Sequence, residues 1–418
     1  MISTGKWIVV AGVLLVTALM AVSTHADDKQ EPLIQPQGAK SHSDVPTGLP
    51  LDEARTCIVG HDHNRPDDFP GLGDFIGWPG DLVRLANGQL MFVHSAGYWH
   101  VSFATPFVLS EGLQQSYAKW FLDRNHQAPT GGRIMSVRSS DNGRTWTKPV
   151  TLFNNEIDNG PSVTFVTNKG TVIQIVNQQA SWYGVSEVPP GHQLRNTLQL
   201  VIRSTDNGQT WSEPVPLNGA GTHYTRGRSR CLQLHDGGIL WMSYNKDDGV
   251  EHLYGTIHRS DDDGLTWQIV SKISREGKDT DEGDLGRLSS GRLVLVLRRD
   301  GGTLVSDDDG VEWKQVGQVG PDYVFAPHLV VLPDDTIVLT AGGSQGQCMF
   351  LSTDGGANWT PPIRIDPGVY GYGKLFLMDD ETILMSYIMS GSTPNRCYLV
   401  RLRVNEQRDG IELLPIGT

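Results

Sequence analysis

Cysteine is scarce in this chain. Its 418 residues hold four, Cys57, Cys231, Cys348 and Cys397, too widely and irregularly spaced for a disulfide scaffold or a thiolate metal cluster. Positive charge is scarce too. The formal net charge is −13, with no basic tract or basic helix, which argues against nucleic acid and anionic membrane surfaces as partners. Helical periodicity is nearly absent after residue 52. Only residues 111–123 (EGLQQSYAKWFLD) read as a short helix. Long apolar runs are confined to the N-terminus, so no later segment is expected to span a membrane.

That N-terminal run reads as an export signal. Lys6 supplies the positive start, Trp7 to Val22 the apolar stretch, and Thr24-His25-Ala26 the small residues of a cleavage site. The stretch is short for a bilayer anchor. Residues 1–26 are therefore expected to be a signal peptide, and the mature protein secreted or periplasmic. Residues 27–50, rich in Pro, Gly, Ser and charge, read as a flexible linker. Export permits disulfides, and Cys57 with Cys397 is the candidate pair if the two ends of the chain close one ring.

Turn residues and short runs of β-formers are what the chain has in quantity, with 48 Gly and 23 Pro. An apolar strand, a tight turn and a second apolar strand recur at 81–95, 162–176, 230–244, 284–298, 328–342 and 374–388. Between them stand five related octapeptides, SSDNGRTW (139–146), STDNGQTW (204–211), SDDDGLTW (260–267), SDDDGVEW (306–313) and STDGGANW (352–359). A third strand leads from each of the first five hairpins into an octapeptide; Arg396 to Val404 is the third strand of the sixth, after which the chain is expected to end. Sheets this small cannot bury both faces alone, so they must stack. Radial stacking predicts an all-β fold, a six-bladed β-propeller over residues 51–418. Residues 53–60 are the expected outer strand of the last blade, closing the ring.

In each octapeptide the acid and hydroxyl suit capping of backbone N–H groups, the glycine suits positive φ, and the tryptophan suits a wedge under the turn. A calcium loop is excluded, because Asp261-Asp262-Asp263-Gly264 lacks alternating ligand spacing and a closing Glu. The octapeptides match the Asp-box, S-x-D-x-G-x-T-W, and on them the chain resembles the sialidase (neuraminidase) superfamily across most of residues 76–404. The resemblance implies a six-bladed propeller with an axial carbohydrate pocket. It does not fix the chemistry, because one fold carries many functions.

Aligned on their turns, the six hairpins expose two columns at the starts of the inner strands. The outer column is Pro79, Pro161, Arg228, Glu282, Ala326 and Tyr372; two residues further in stand Asp81, Val163, Arg230, Asp284, His328 and Lys374. Polar groups at the mouths of apolar strands are costly to bury without purpose. The resemblance implies Tyr372 as nucleophile and Glu282 as its base, with Arg298 (or its neighbour Arg299) binding the substrate's anionic group. A neutral phenol can approach an anomeric carbon beside a carboxylate without charge repulsion, and sialidases are known among glycosidases for a tyrosine nucleophile.

The chain also departs from that family. Gly77, in IGWP at 76–79, stands where the first arginine is expected, and TAGGSQGQ at 340–347 lacks the third. Tyr387 and Ile388 occupy the region of the first arginine's supporting glutamate. APTGGR at 128–133 lacks the acid/base aspartate, which leaves Asp123, or Asp81, as the acid. Arg226, Arg228 and Arg230 form an alternative anion clamp at the third blade. His328, with His94 or His100, is an alternative acid/base. Trp78, with Trp99, Trp120 and Trp182, is a candidate sugar-stacking surface. His61-Asp62-His63 is not read as a metal site, since adjacent strand positions point to opposite sides; neither metal nor cofactor is expected. Three functions follow: a hydrolase releasing a terminal, acidic sugar from a glycan, a polysaccharide lyase or atypical exo-glycosidase using His, Tyr and Arg, and a non-catalytic glycan-binding propeller.

Overall fold

The structure is a computed structural model that describes residues 44–60, 75–97, 133–154, 158–179, 197–217, 224–320, 324–343, 345–367, 372–389 and 396–416. The signal peptide, most of the linker, the expected helix at 111–123, Asp123, His61 to His63, His100, Trp99, Trp120 and Trp182 lie outside these residues.

Among the described residues the strands form six sheets, antiparallel apart from one parallel pair in the sixth, the six blades of a propeller. Blade four shows the plan. Its inner strand Gly283–Arg287 pairs with Leu293–Leu297, then Gly302–Ser306, then the outer Lys314–Gln318. Leu293, Leu295 and Leu297 enter the core shared with blade three, whereas Val294 and Val296 enter the core shared with blade five. Both faces of the strand are thus buried, which is why it reads as a solid apolar run rather than an alternating one. Each of the six core clusters lies between two neighbouring blades, including the one that joins blade six to blade one.

The octapeptides fasten this ring. In the first, Ser139 Oγ accepts from Gly143 N (2.8 Å), and Asp141 accepts from Thr145 N (2.9 Å) and Thr145 Oγ1 (2.6 Å). Trp146 Nε1 closes the turn on Gly143 O at 3.0 Å. Asn142 and Gly143 both have positive φ, 56° and 89°. In the fifth copy Asn358 takes the threonine's place on Asp354, with its side-chain amide at 2.7 Å. Each turn leans on the preceding blade. Gly264 faces Ile173, Gly310 faces Ile257 and Leu240, and Gly356 faces Thr303 and Val294. Gly143, in blade one, faces Leu399 of blade six.

Closure is more elaborate than the sequence predicts. Arg55–Val59 does pair antiparallel with Arg396–Val404, as expected, but the chain does not end there. It turns back through Ile411–Leu414, which pairs with the other half of the same strand, and Thr47–Gly48 adds in parallel beside it. The outer edge of blade six is therefore built from both ends of the propeller chain. Cys57 and Cys397 sit on adjacent strands of this seam, yet all four cysteines are buried free thiols, so the expected disulfide is not formed.

Candidate functional site

The hairpin turns and octapeptides lie at one end of the axis, the turn end, and the starts of the inner strands lie at the other, the mouth. Two layers of polar side chains cross the axis between them, and they differ in chemistry.

The deeper layer is a buried ion cluster from five blades. Asp81 Oδ1 lies 3.1 Å from Lys374 Nζ and 3.3 Å from His328 Nε2. Its other oxygen accepts from Thr164 N at 2.9 Å. Asp284 accepts from Arg230 N (2.6 Å), Arg230 Nε (3.2 Å) and Leu329 N (2.8 Å). His328 Nδ1 accepts from Leu375 N at 3.0 Å, which places the ring proton on Nε2, toward Asp81. Asp81, Asp284, His328 and Lys374 are all buried. Burial pushes His328 down to about 4, so the ring is neutral at pH 7. Burial alone would raise Asp81, but Lys374, His328 and the Thr164 N–H outweigh it and hold the carboxyl well below its usual range.

The outer layer faces the mouth. Glu282 immediately precedes Gly283–Arg287 and Arg298 immediately follows its partner Leu293–Leu297 in blade four, and the two form a 2.8 Å ion pair. The Arg298 guanidinium lies 4.0 Å from the centroid of Phe325, which meets Tyr372 edge-on at 4.9 Å. Arg228 covers the Tyr372 ring at 4.4 Å and donates through Nη2 to Pro79 O at 3.1 Å. A carboxylate, two cations and two aromatic rings thus form one continuous chain across the mouth. Tyr372 is held at φ 62° and Ala326, the residue after Phe325, at φ 48°, conformations that L residues rarely adopt. Burial and then the charge of Glu282 push the Tyr372 phenol well above its ordinary value, partly countered by Arg228 and Arg298. The phenol is neutral at rest, with a carboxylate nearby.

Of the paired arginines, Arg299 turns away to Asp279 and Asp281, at 2.9 and 3.0 Å, which leaves Arg298 at the mouth. Arg226, Arg228 and Arg230 do not act as one clamp. The inner strand of blade three is interrupted after Arg226, because Gly227 passes so close to Trp241 that a Cβ there would lie 2.0 Å from the indole. Arg226 therefore stays in register with Tyr244, Arg228 enters the mouth, and Arg230 drops into the ion cluster. His94 is buried in blade one, stacked on Phe92 at 5.9 Å, with Nδ1 3.1 Å from Ser95 O. Trp78 lies on the strand Phe75–Arg84, one residue from Pro79 and the mouth. Phe325, the bridge between Arg298 and Tyr372, escapes sequence reasoning, because one more aromatic at a strand start reads as core. Its one signal is its place next to Ala326 in the outer column.

Comparison with known proteins agrees with this architecture. A BNR repeat-like domain matches residues 182–385. A sialidase of Bacteroides fragilis (strain YCH46) is 26% identical over 294 residues, 60% of this chain and 53% of its own. The chain spans about half the length of the curated relatives it matches. A Dyadobacter fermentans protein of unknown function superposes with a TM-score of 0.64 at 18% identity, covering 86% of this chain and 98% of its own. NanB sialidase from Streptococcus pneumoniae superposes with a TM-score of 0.62 at 13% identity, covering 88% and 72%. With six blades, a repeat-domain match and sialidases as relatives, the chain is a sialidase-like BNR-repeat β-propeller.

Proposed function

We propose that this propeller is a sialidase-like glycoside hydrolase that releases a terminal acidic sugar from a glycan, with a sialoside as the first substrate to try. The observation that carries the proposal is the Glu282–Arg298 pair joined through Phe325 to a strained, neutral Tyr372. Glu282 takes the phenol proton as the Tyr372 oxygen attacks the anomeric carbon. The glycosidic bond breaks, and its oxygen leaves with a proton from an acid; water then hydrolyses the tyrosyl–sugar bond. Arg298 binds the sugar's anionic group. The acid assigned here is Asp123, since Asp81 is buried at 6% exposure and fixed by Lys374, His328 and Thr164. His328 is held in the same cluster, which counts against its acting on a lyase substrate.

The relatives support a glycan partner. Export to the periplasm or beyond rests on residues 1–26 as a signal peptide; the described residues contain no helix long and apolar enough to cross a membrane. A non-catalytic glycan-binding propeller is a second reading, favoured by Gly77 at the position of the first arginine and by an arginine-free 340–347. Incubation of the purified protein with a panel of fluorogenic sialosides, glucuronides and neutral glycosides separates the two. Release of a reducing acidic sugar, falling about 10³-fold in Tyr372→Phe, is the expected result. Intact glycan throughout supports the binder, an unsaturated product supports a lyase, and full hydrolysis by Tyr372→Phe removes the nucleophile.

A further inference from the structure

At the turn end of the axis, behind the ion cluster and away from the mouth, lies a cavity of about 320 Å³. This volume is within the range of small-molecule sites. Blade four leaves the space to its neighbours. A Cβ on Gly286 would stand 2.4 Å from Leu329 and 3.0 Å from Val331, so blade five packs directly over that strand and the other five blades line the cavity. The walls are mainly apolar, with half-buried Phe165, Val331, Phe376 and Leu377 among them.

Arg230 faces this cavity from the ion cluster. Its Nε is held by Asp284 Oδ2, and its Nη2 lies against His328 and Leu375 O. Its Nη1 has no hydrogen bond among the described residues, and its side chain keeps 24% exposure beside an Asp284 that has none. His328, which also lines the cavity, directs Nε2 to Asp81 and accepts from Leu375 N with Nδ1. The cavity thus presents a cationic donor at its inner end, beside an Asp81 already held by Lys374 and His328, with Arg84 on a largely apolar wall.

We propose that the cavity is a binding site for a small amphipathic monoanion, its carboxylate or sulfonate on Arg230 Nη1 and its aromatic or aliphatic body between Phe165 and Phe376. A charge-assisted bond to a planar guanidinium favours such a head group. A cation would find the carboxylates of the cluster already taken, Asp81 by Lys374 and Asp284 by Arg230, and would meet a second guanidinium, Arg84, on the cavity wall. A sugar would bring hydroxyls against Val331 and Leu377, which offer no partner. The site is independent of the hydrolase assignment and uses none of its residues.

The probe is 8-anilinonaphthalene-1-sulfonate, titrated into the full-length protein by fluorescence, with the uncharged N-phenyl-1-naphthylamine as its control. The expected result is one saturable site per chain that binds the sulfonate at least tenfold more tightly than the neutral amine. Val331→Trp, which fills the cavity from its wall, abolishes binding while the circular dichroism melt is retained. Leu377→Trp serves the same purpose if the first variant does not fold. Arg230→Gln narrows the preference for the anion. Absence of a saturable site, equal binding of the neutral amine, or undiminished binding in a folded filled-cavity variant overturns the proposal.

Discussion

The guanidinium of Arg228, from blade three, lies 4.4 Å from the centre of the Tyr372 ring, from blade six. In a six-bladed ring these blades are opposite, so the contact spans the axis and depends on closure of the whole propeller. It also places a fixed positive charge on the phenol proposed to ionise during the reaction.

Replacing Arg228 by Met therefore removes one of the two cations that counter Glu282 at Tyr372. A cation–π contact of about 1–2 kcal/mol corresponds to a fall in kcat of roughly five- to thirtyfold. The kcat–pH profile on the acidic glycoside that is turned over should move to higher pH on its alkaline limb, with Arg228→Lys recovering part of the loss. An unchanged profile would show that Arg228 only fills space.

The deeper layer is expected to matter for stability. Lys374→Met leaves Asp81 buried without its nearest cation, at a cost of about 3–5 kcal/mol in chemical denaturation. The double variant Asp81→Asn with Lys374→Met should regain at least half of that, since no uncompensated charge remains. Equal destabilisation by the single and double variants would show that packing, not charge, dominates.

Two buried histidines set the acid limit. Burial lowers His328 to about 4 and His258 to about 3, from an ordinary value near 6.5. The unfolded chain takes up these protons below about pH 6.5 and the native state does not, so their contribution is full above that pH and lost as pH falls toward 4. Each histidine adds a slope of about 1.4 kcal/mol per pH unit in this window. Urea midpoints at pH 7.5, 6 and 5 should fall steadily, and His258→Gln should reduce the slope. A flat stability between pH 7 and 5 would contradict the assignment.

The octapeptide turns can be tested singly. Gly264 has φ 82°, and an added Cβ would stand 2.4 Å from Ile173 of the preceding blade. Gly264→Ala combines left-handed strain with overpacking, each on the order of 1–3 kcal/mol, and should lower the melting temperature by several degrees. Gly237→Ala, at φ 91° with open space around it, should carry the strain alone and cost less.

Much of the architecture is legible in the sequence because its signals are local and repeated. Leu293 to Leu297 reads as a strand buried on both faces, and Asp141 meets Thr145 within one turn. The columns at the hairpin starts likewise bring Glu282, Tyr372 and Arg228 to one end of the axis. What hairpin spacing does not reveal is how residues from different blades pair. Arg228 and Arg230 are two positions apart, yet one covers Tyr372 and the other binds Asp284, because Gly227 against Trp241 interrupts their strand. The outer strand Ile411–Leu414 is missed for a related reason. It is short, its partner Arg396–Val404 also carries Arg55–Val59 on the same edge, and its place follows only from the seam where the two ends of the propeller meet.

The sequence by itself determined the blade count, the turns and the apolar faces, since each follows from residue type at short separation. Tertiary structure decided which charges are buried together and which face the mouth. Asp81, Lys374, His328 and Asp284 are far apart along the chain and of similar appearance within it. Only the closed ring links them, each within 4 Å of at least one other, in a space too dry for any of them to remain unpaired.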